Sequence, residues 1–591
     1  MFRRICFIAA IVAAITAAPV YAATGVGGTI TTTTWTKANG PYRVTAAVTV
    51  PSGNTLTIEP GVDVLFDTDV QFIVEGRLHA VGTQTDSIRF LKGTAPNWRG
   101  IRITGGDTST IAHTRISDGK ARGSTRQDSC GGALYLSGKG TRVSMSNSVI
   151  SGNSGSWGGG LFPYNHSTLT LTNCRISGNS ASYGNGGGLF AYNSSTLTLT
   201  NCTISGNSAR DNGGGLYAYS STVTLTNCTI SGNRASPYGP GGGLDVWYST
   251  VTLTNCTITG NSASYYEGGG LYVFSSTARL TSCAISGNSA RWAGGLYAES
   301  SWCTPALENC ITLTNCTISG NWASYNGGGL SASSSTVTLA NCTITGNSAV
   351  GSGGGVYNPW NATVTLTNCT ISRNTARDGG GLCARSSSTL TLTNCTMSRN
   401  TASRYGSGLY ADGSTATLRN TILWANGAQE YYNASSTITA TYSDIYVPSG
   451  VAYPGTGNIN ANPLFVDAAN GDYHLEAGSP ARGMGAFPWP VAVTEGRPAP
   501  RLDLWQNSPN PFNPSTTIRF TVPQSGPANV AIYDVNGRLV RTLVDRPVQA
   551  GFHELVWDGR DQMGRAVASG VYLYRLTSGE GTLVRRMTLV R

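Results

Sequence analysis

The chain of 591 residues is long enough for several domains and contains 76 Gly, while only 12% of it is charged. Its net charge of +10 comes from scattered Arg, with no Lys after Lys139 and no basic run. That pattern excludes a nucleic-acid-binding reading and fits a solvated rod surface with, at most, a mild attraction to anionic surfaces.

Residues 1–22 open with Met-Phe-Arg-Arg, continue as an apolar run to Val20 and end in Tyr-Ala-Ala. This is the form of a secretory signal peptide cut after Ala22. The run is short and polar sequence follows at once, so no membrane-spanning segment is expected in the mature chain. Residues 23–105 are less regular. Asn54–Phe66 (NTLTIEPGVDVLF) alternates, breaks at Pro60-Gly61 and resumes. A solenoid must cover its terminal coil, and this region is expected to be the N-terminal cap and first coils.

Residues 106–486 carry an internal repeat. Cys174, Cys202, Cys228, Cys256, Cys283, Cys316, Cys342, Cys369 and Cys395 follow one another at intervals of 28, 26, 28, 27, 33, 26, 27 and 26 residues. A period of this size means a stacked array. In Gly213–Asn233 (GGGLYAYSSTVTLTNCTISGN), Leu216/Ala218, Val223/Leu225 and Cys228/Ile230 each alternate with period 2. They read as three short strands facing a core, separated by three corners, with Asn227 at a bend. Thr, Ser, Asn and Gly disfavour helix, so each repeat is one coil of a parallel β-helix. About fifteen coils at roughly 4.8 Å each give a rod on the order of 70 Å long. Asn153, Asn179, Asn207, Asn233, Asn261, Asn288, Asn321, Asn347, Asn374, Asn400 and Asn426 are expected to stack as a hydrogen-bonded ladder. The repeat of 33 residues holds an insertion with Cys303 and Cys310, a candidate disulfide in an exported protein, with free thiols as the alternative.

The period decays after Asn426. Tyr442–Ile445, Gly457–Asp467 and Gly471–Ala481 read as final coils and a C-terminal cap, and the Pro-rich residues 487–501 as a linker. Residues 502–591 hold five short alternating strands and a hairpin turn at Asn536-Gly537, the pattern of a small β-sandwich.

These features resemble known families. The repeats and the words GDYHLEAGSPA are similar to right-handed parallel β-helices of the pectate-lyase-like class. Gly131–Leu134 (GGAL) with the ISGN words resembles the repeats of polymorphic membrane proteins, which are adhesins, although Ile here replaces their Phe and no outer-membrane barrel follows. NSPNPFNPSTTIRF from Asn507, with AIYDVNGR, WDGRD and SGVYLYRL, is similar to the type IX secretion sorting domain, related to the immunoglobulin-like domain of flagellar hook-capping proteins. That resemblance implies passage through type IX secretion machinery and a secreted protein, extracellular or attached to a bacterial cell surface. The expected fold is therefore all-β, a right-handed solenoid followed by an Ig-like sandwich.

Chemistry is sparse. Asp211, Asp245, Glu267, Glu299, Asp378 and Asp412 form no column at matched repeat positions, and His166 is the one His in the regular array. No catalytic, metal or cofactor site is expected. Aromatics stand out instead. With Leu216 and Ala218 inward, Tyr217 and Tyr219 point away from the core, and two outward columns follow. Tyr164, Tyr192, Tyr217, Tyr219, Trp247, Tyr272 and Phe274 are the candidate ligand-binding residues, suited to sugar rings or to a surface protein of a host or neighbouring cell. The expected function is adhesin-like binding. The alternatives are a carbohydrate-active enzyme on the same fold (a polysaccharide lyase or glycosidase) and a passive surface element whose aromatics only stabilise the sheet.

Overall fold

The structure, a computed structural model, describes residues 23–300, 311–487, 502–507, 510–548 and 551–590, the last range without the side chains of 551 and 552. Residues 1–22 and the insertion carrying Cys303 and Cys310 lie outside the described residues.

The array is an all-parallel β-helix. Its strands stack coil on coil in register, as in Thr222–Thr226 on Thr250–Thr254 (Thr222 opposite Thr250, Leu225 opposite Leu253). One wall contains sixteen strands, so the rod has sixteen coils and is about 75 Å long. The expected strands are present as Leu216–Tyr219, Thr222–Thr226 and Thr229–Ser231. A fourth, Arg234–Ala235, has only two residues and belongs to a ten-stranded wall of its own. Two residues are too few to show a period, so composition alone leaves this wall hidden inside a loop. Leu216, Ala218, Val223, Leu225, Cys228 and Ile230 all lie in one continuous core. The ladder cysteines are reduced and buried, each thiol donating to backbone, as Cys228 Sγ does to Thr226 O at 3.3 Å.

Two Asn columns turn the corners differently. The outer one adopts the left-handed backbone that Asn tolerates (Asn227 φ +54) and links amide to amide, as Asn227 Nδ2 to Asn201 Oδ1 at 3.1 Å. The inner one is fully buried and saturated. Asn233 Oδ1 accepts from the backbone N–H of Asn207 at 3.0 Å and from its Nδ2 at 2.9 Å. Asn233 Nδ2 donates to Asn261 Oδ1 and to Ile204 O, both at 2.9 Å. The column ends at a carboxylate: Asn426 N and Nδ2 donate to Glu430 at 3.0 and 2.6 Å. Burial pushes the Glu430 carboxyl up to about 7. Against this column lies the glycine triplet. A Cβ on Gly215 would stand 2.5 Å from Gly243 O and 3.0 Å from Asn233 Cγ, so only glycine lets the coils close there.

At the N-terminal end Val26 and Ile30 pack on the first coils, and Trp35 stacks on Tyr42 at 4.6 Å. At the other end Val447 and Tyr453 cover the last coil. The GDYHLEAGSPA segment, expected among the final coils and C-terminal cap, adds no further coil. It forms an antiparallel hairpin, Phe465–Asp467 with Asp472–Leu475, and runs back along the outside of the rod. There Leu475 and Ala481 pack on Ile422, Ala486 N donates to Thr396 Oγ1 at 3.0 Å, and Arg373 donates to Ala469 O. Ile422 opens the strand Ile422–Trp424, whose Leu423 enters the core, and the strap covers Ile422 on the other face.

Residues 502–590 form two antiparallel sheets of three and four strands around Ile518, Phe520, Val530, Ile532, Trp557, Tyr574 and Met587. The NSPNPF segment is held by Asn507, whose backbone N–H reaches Tyr574 Oη at 2.8 Å and whose Nδ2 reaches Thr516 Oγ1 at 2.9 Å.

The two Asn columns are separable by mutation. Asn261→Ala leaves buried donors on Asn233 unpaired and is expected to cost about 1–3 kcal/mol, whereas Asn227→Ala, at the outer corner, costs less. Urea midpoints of the two variants against the parent check this, and equal losses would contradict it.

Candidate functional site

Strand Leu216–Tyr219 and its equivalents present the aromatics, because period-2 alternation turns every second side chain out of the core. The two outward columns then have different fates. Tyr217 and Tyr272 are each only 4% exposed. Tyr135, Phe162, Phe190 and Tyr217 form a closed cluster beside the main core, and Tyr272 with Tyr297 a second. Part of their cover is the start of their own coil's glycine triplet: a Cβ on Gly213 (φ +65) would sit 2.8 Å from Tyr217 Cβ. Tyr217 and Tyr272 are thus removed from the accessible set. They pack a lateral core, with Tyr272 stacked on Tyr297 at 5.5 Å and 7°.

The second column stays half-buried and open on one side: Tyr164, Tyr192, Tyr219, Trp247 and Phe274. Tyr164 and Tyr192 stack at 5.7 Å and 8°, and Arg126 lies over both rings at 4.9 and 5.1 Å. Trp247 and Phe274 lie 4.3 Å apart. One residue absent from the sequence-based set completes the group. Tyr248, 50% exposed, stands edge-on to Tyr219 at 5.5 Å and to Phe274 at 5.6 Å. Its φ of +48 is left-handed, at a corner where neighbouring coils place Ser220 and Ser275. A bulky aromatic in that conformation is uncommon and strained.

Beneath this group lie three carboxylates. Asp245 occupies the first column between Tyr217 and Tyr272. Glu299 occupies the second, after Phe274. Glu267 precedes the triplet of the intervening coil, opposite Trp292. They form no column, as the sequence indicates, yet they come together because each stands at a different position in three successive coils. Tyr272 Oη donates to Glu299 Oε2 at 2.9 Å. Burial holds Asp245 well above the usual carboxylate range, with the Glu267 charge adding to the effect. Burial and the Glu299 charge carry Glu267 up to about 7. Among the described residues no group of His, Cys, Asp and Glu has the arrangement of a metal site.

The two columns predict opposite mutational behaviour. Tyr217→Ala should destabilise the rod by about 3–5 kcal/mol, as expected for a buried ring. Tyr219→Ala should cost about 1 kcal/mol or less, as expected for a half-exposed one. Thermal melts of both variants decide; a larger loss for Tyr219→Ala would contradict the assignment of cover.

With this geometry in hand, comparison with known proteins identifies the scaffold. Residues 83–250, 187–357 and 308–463 match the family described as right handed beta helix region, and residues 512–582 match the FlgD Ig-like domain. No curated protein matches the chain. Among solved structures, it is similar to PorZ, a bacterial surface component of the type-IX secretion system of Porphyromonas gingivalis, at 24% identity over 15% of this chain and 11% of that one, with a TM-score of 0.12. The chain therefore spans about a tenth of the length of PorZ. It is also similar to pectate lyase Pel9A (12% identity, 73% and 88% of the two chains, TM-score 0.25). A third likeness is to the receptor binding domain of the Siphovirus 9NA tailspike (10% identity, 94% and 98%, TM-score 0.18). The chain belongs to the right-handed β-helix family, its rod followed by a FlgD Ig-like domain.

Proposed function

We propose that this is a secreted or cell-surface binding protein, adhesin-like, that holds glycan chains along the half-buried aromatic column. The observation that carries this reading is the group Tyr219, Trp247, Tyr248 and Phe274, where half-buried rings gather around an exposed Tyr248 at a corner that neighbouring coils fill with Ser. Sugar rings present flat apolar C–H faces that stack on such side chains, while their hydroxyls stay in water. A ring group whose only role was sheet stability would not need the exposed Tyr248 where neighbouring coils place Ser220 and Ser275. The signal-peptide-like start and the resemblance of the C-terminal domain to type IX sorting domains support export by that machinery to the cell exterior. No helix among the described residues is long and apolar enough to cross a membrane.

The carboxylates favour a second reading, a polysaccharide lyase or glycosidase, since such enzymes use acids with raised proton affinity. Asp245 is sealed from solvent, which leaves Glu267 and Glu299 as the accessible acids.

A panel of neutral, acidic and amino glycans separates the readings. The full chain should retain at least one glycan in affinity electrophoresis without producing new reducing or unsaturated ends, and Trp247→Ala should weaken retention about tenfold, as expected for loss of a central aromatic. Turnover would replace the binding reading with the enzymatic one. No retention of any glycan would leave a passive surface element.

A further inference from the structure

Farther along the rod two acids are answered by Arg. Fully buried Asp378 receives Arg404 Nε and Nη2, both at 2.8 Å, and Arg385 reaches Asp412 at 3.5 Å. Around Asp245 the pattern stops. Among the described residues no ion pair reaches Asp245, Glu267 or Glu299. Both Asp245 oxygens lack a hydrogen-bond partner. Its carboxylate faces the Trp247 indole without completing a hydrogen bond, and Trp247 Nε1 is also unpartnered. The nearby cation that favours ionised Glu267 is Arg291, and its guanidinium lies over the Trp292 ring at 4.4 Å.

Three acids drawn from successive coils beside a set of ring faces make one continuous region rich in acceptors and poor in donors. Burial disfavours the charged forms of Asp245 and Glu267 while the site is empty, and a cation seated there draws the Glu267 proton off. The faces of Trp247, Phe274 and Tyr219 act in the same direction, since an aromatic face attracts cations. An unpaired carboxylate facing an aromatic cluster is left incomplete by the described residues around it. A protonated amine supplies what is missing, with N–H donors for the carboxylates and positive charge for the rings. The chain as a whole is cationic (+10), so general electrostatics would repel such a ligand; attraction has to be local.

We propose that the segment of the column built from Tyr219, Trp247, Tyr248 and Phe274 above Asp245, Glu267 and Glu299 is a subsite for amino sugars with a free, protonated amine. The sugar ring lies on Trp247 and Phe274, and the ammonium is seated at Glu267 and Glu299. Asp245, out of reach of solvent and held in its neutral form by burial, lines the Trp247 side of the site. This inference rests on the glycan-binding reading and sharpens it to a ligand class.

The test is isothermal titration of the full chain at pH 7, where Glu267 is about half ionised before ligand arrives, with glucosamine, N-acetylglucosamine and galacturonate oligomers of equal length. The glucosamine oligomer should bind roughly tenfold more tightly than its N-acetylated counterpart, the size expected for one partly desolvated cation contact. Glu299→Gln, which keeps an acceptor for Tyr272, and Glu267→Gln should each reduce that preference and leave N-acetylglucosamine binding unchanged. Equal affinity for the two oligomers, or a preference that survives in the double variant, overturns the amino-sugar inference alone. Failure of all three oligomers to bind overturns the glycan reading with it.

Discussion

Each inner-corner Asn amide uses both its lone pairs and both its N–H groups on neighbouring coils, and that saturation governs the rest of the rod. A buried amide with a missing partner would carry a desolvation penalty in every coil. The ladder therefore fixes the rise from coil to coil, and a side chain one position out of register would leave two coils unsatisfied at once. The backbone opposite must come close enough to close the coil around the amide, which only the glycine triplet permits. The ladder also needs an end, and Glu430 provides one by placing a two-oxygen acceptor where the next Asn would stand.

With the interior so constrained, variation is displaced outward. Each coil's own triplet starts against its first-column ring, and stacking from coil to coil seals that column. The second column, one side-chain step further along the same strand, is left at the edge of that cover. It is also the place where the sequence departs from its repeat: Trp247 and Phe274 for Tyr, Tyr248 for Ser, Glu299 for an aromatic. A scaffold that tolerates almost no change at Asn, Gly, Leu and Ile accepts large changes here, and the carboxylates gather at the same coils.

Much of this architecture was legible in the sequence. The inward sets at Leu216, Ala218, Val223, Leu225, Cys228 and Ile230, the Asn column and the left-handed bend at Asn227 followed from period and residue type. The two-residue strand at Arg234–Ala235 did not, because alternation needs more than two residues to show. The burial of Tyr217 and Tyr272 depends on rings of adjacent coils and on how their own coil's glycine triplet folds against them, which period-2 alternation does not report. Asp245, Glu267 and Glu299 occupy three different repeat positions, so a search down single columns passes them by; the signal was their recurrence in three successive coils. Tyr248 was visible only as an aromatic at a corner otherwise given to Ser and Asn.

The central claim is that ligand contact falls on the open column and not on the many other exposed aromatics. Hydroxyl-radical footprinting with mass spectrometry, in the presence and absence of a retained glycan, measures this residue by residue. Protection is expected at Tyr219, Trp247, Tyr248 and Phe274, with Tyr183, Tyr238, Trp322 and Trp360 unchanged. Protection confined to those four loop and corner residues, with the column unaffected, would contradict it.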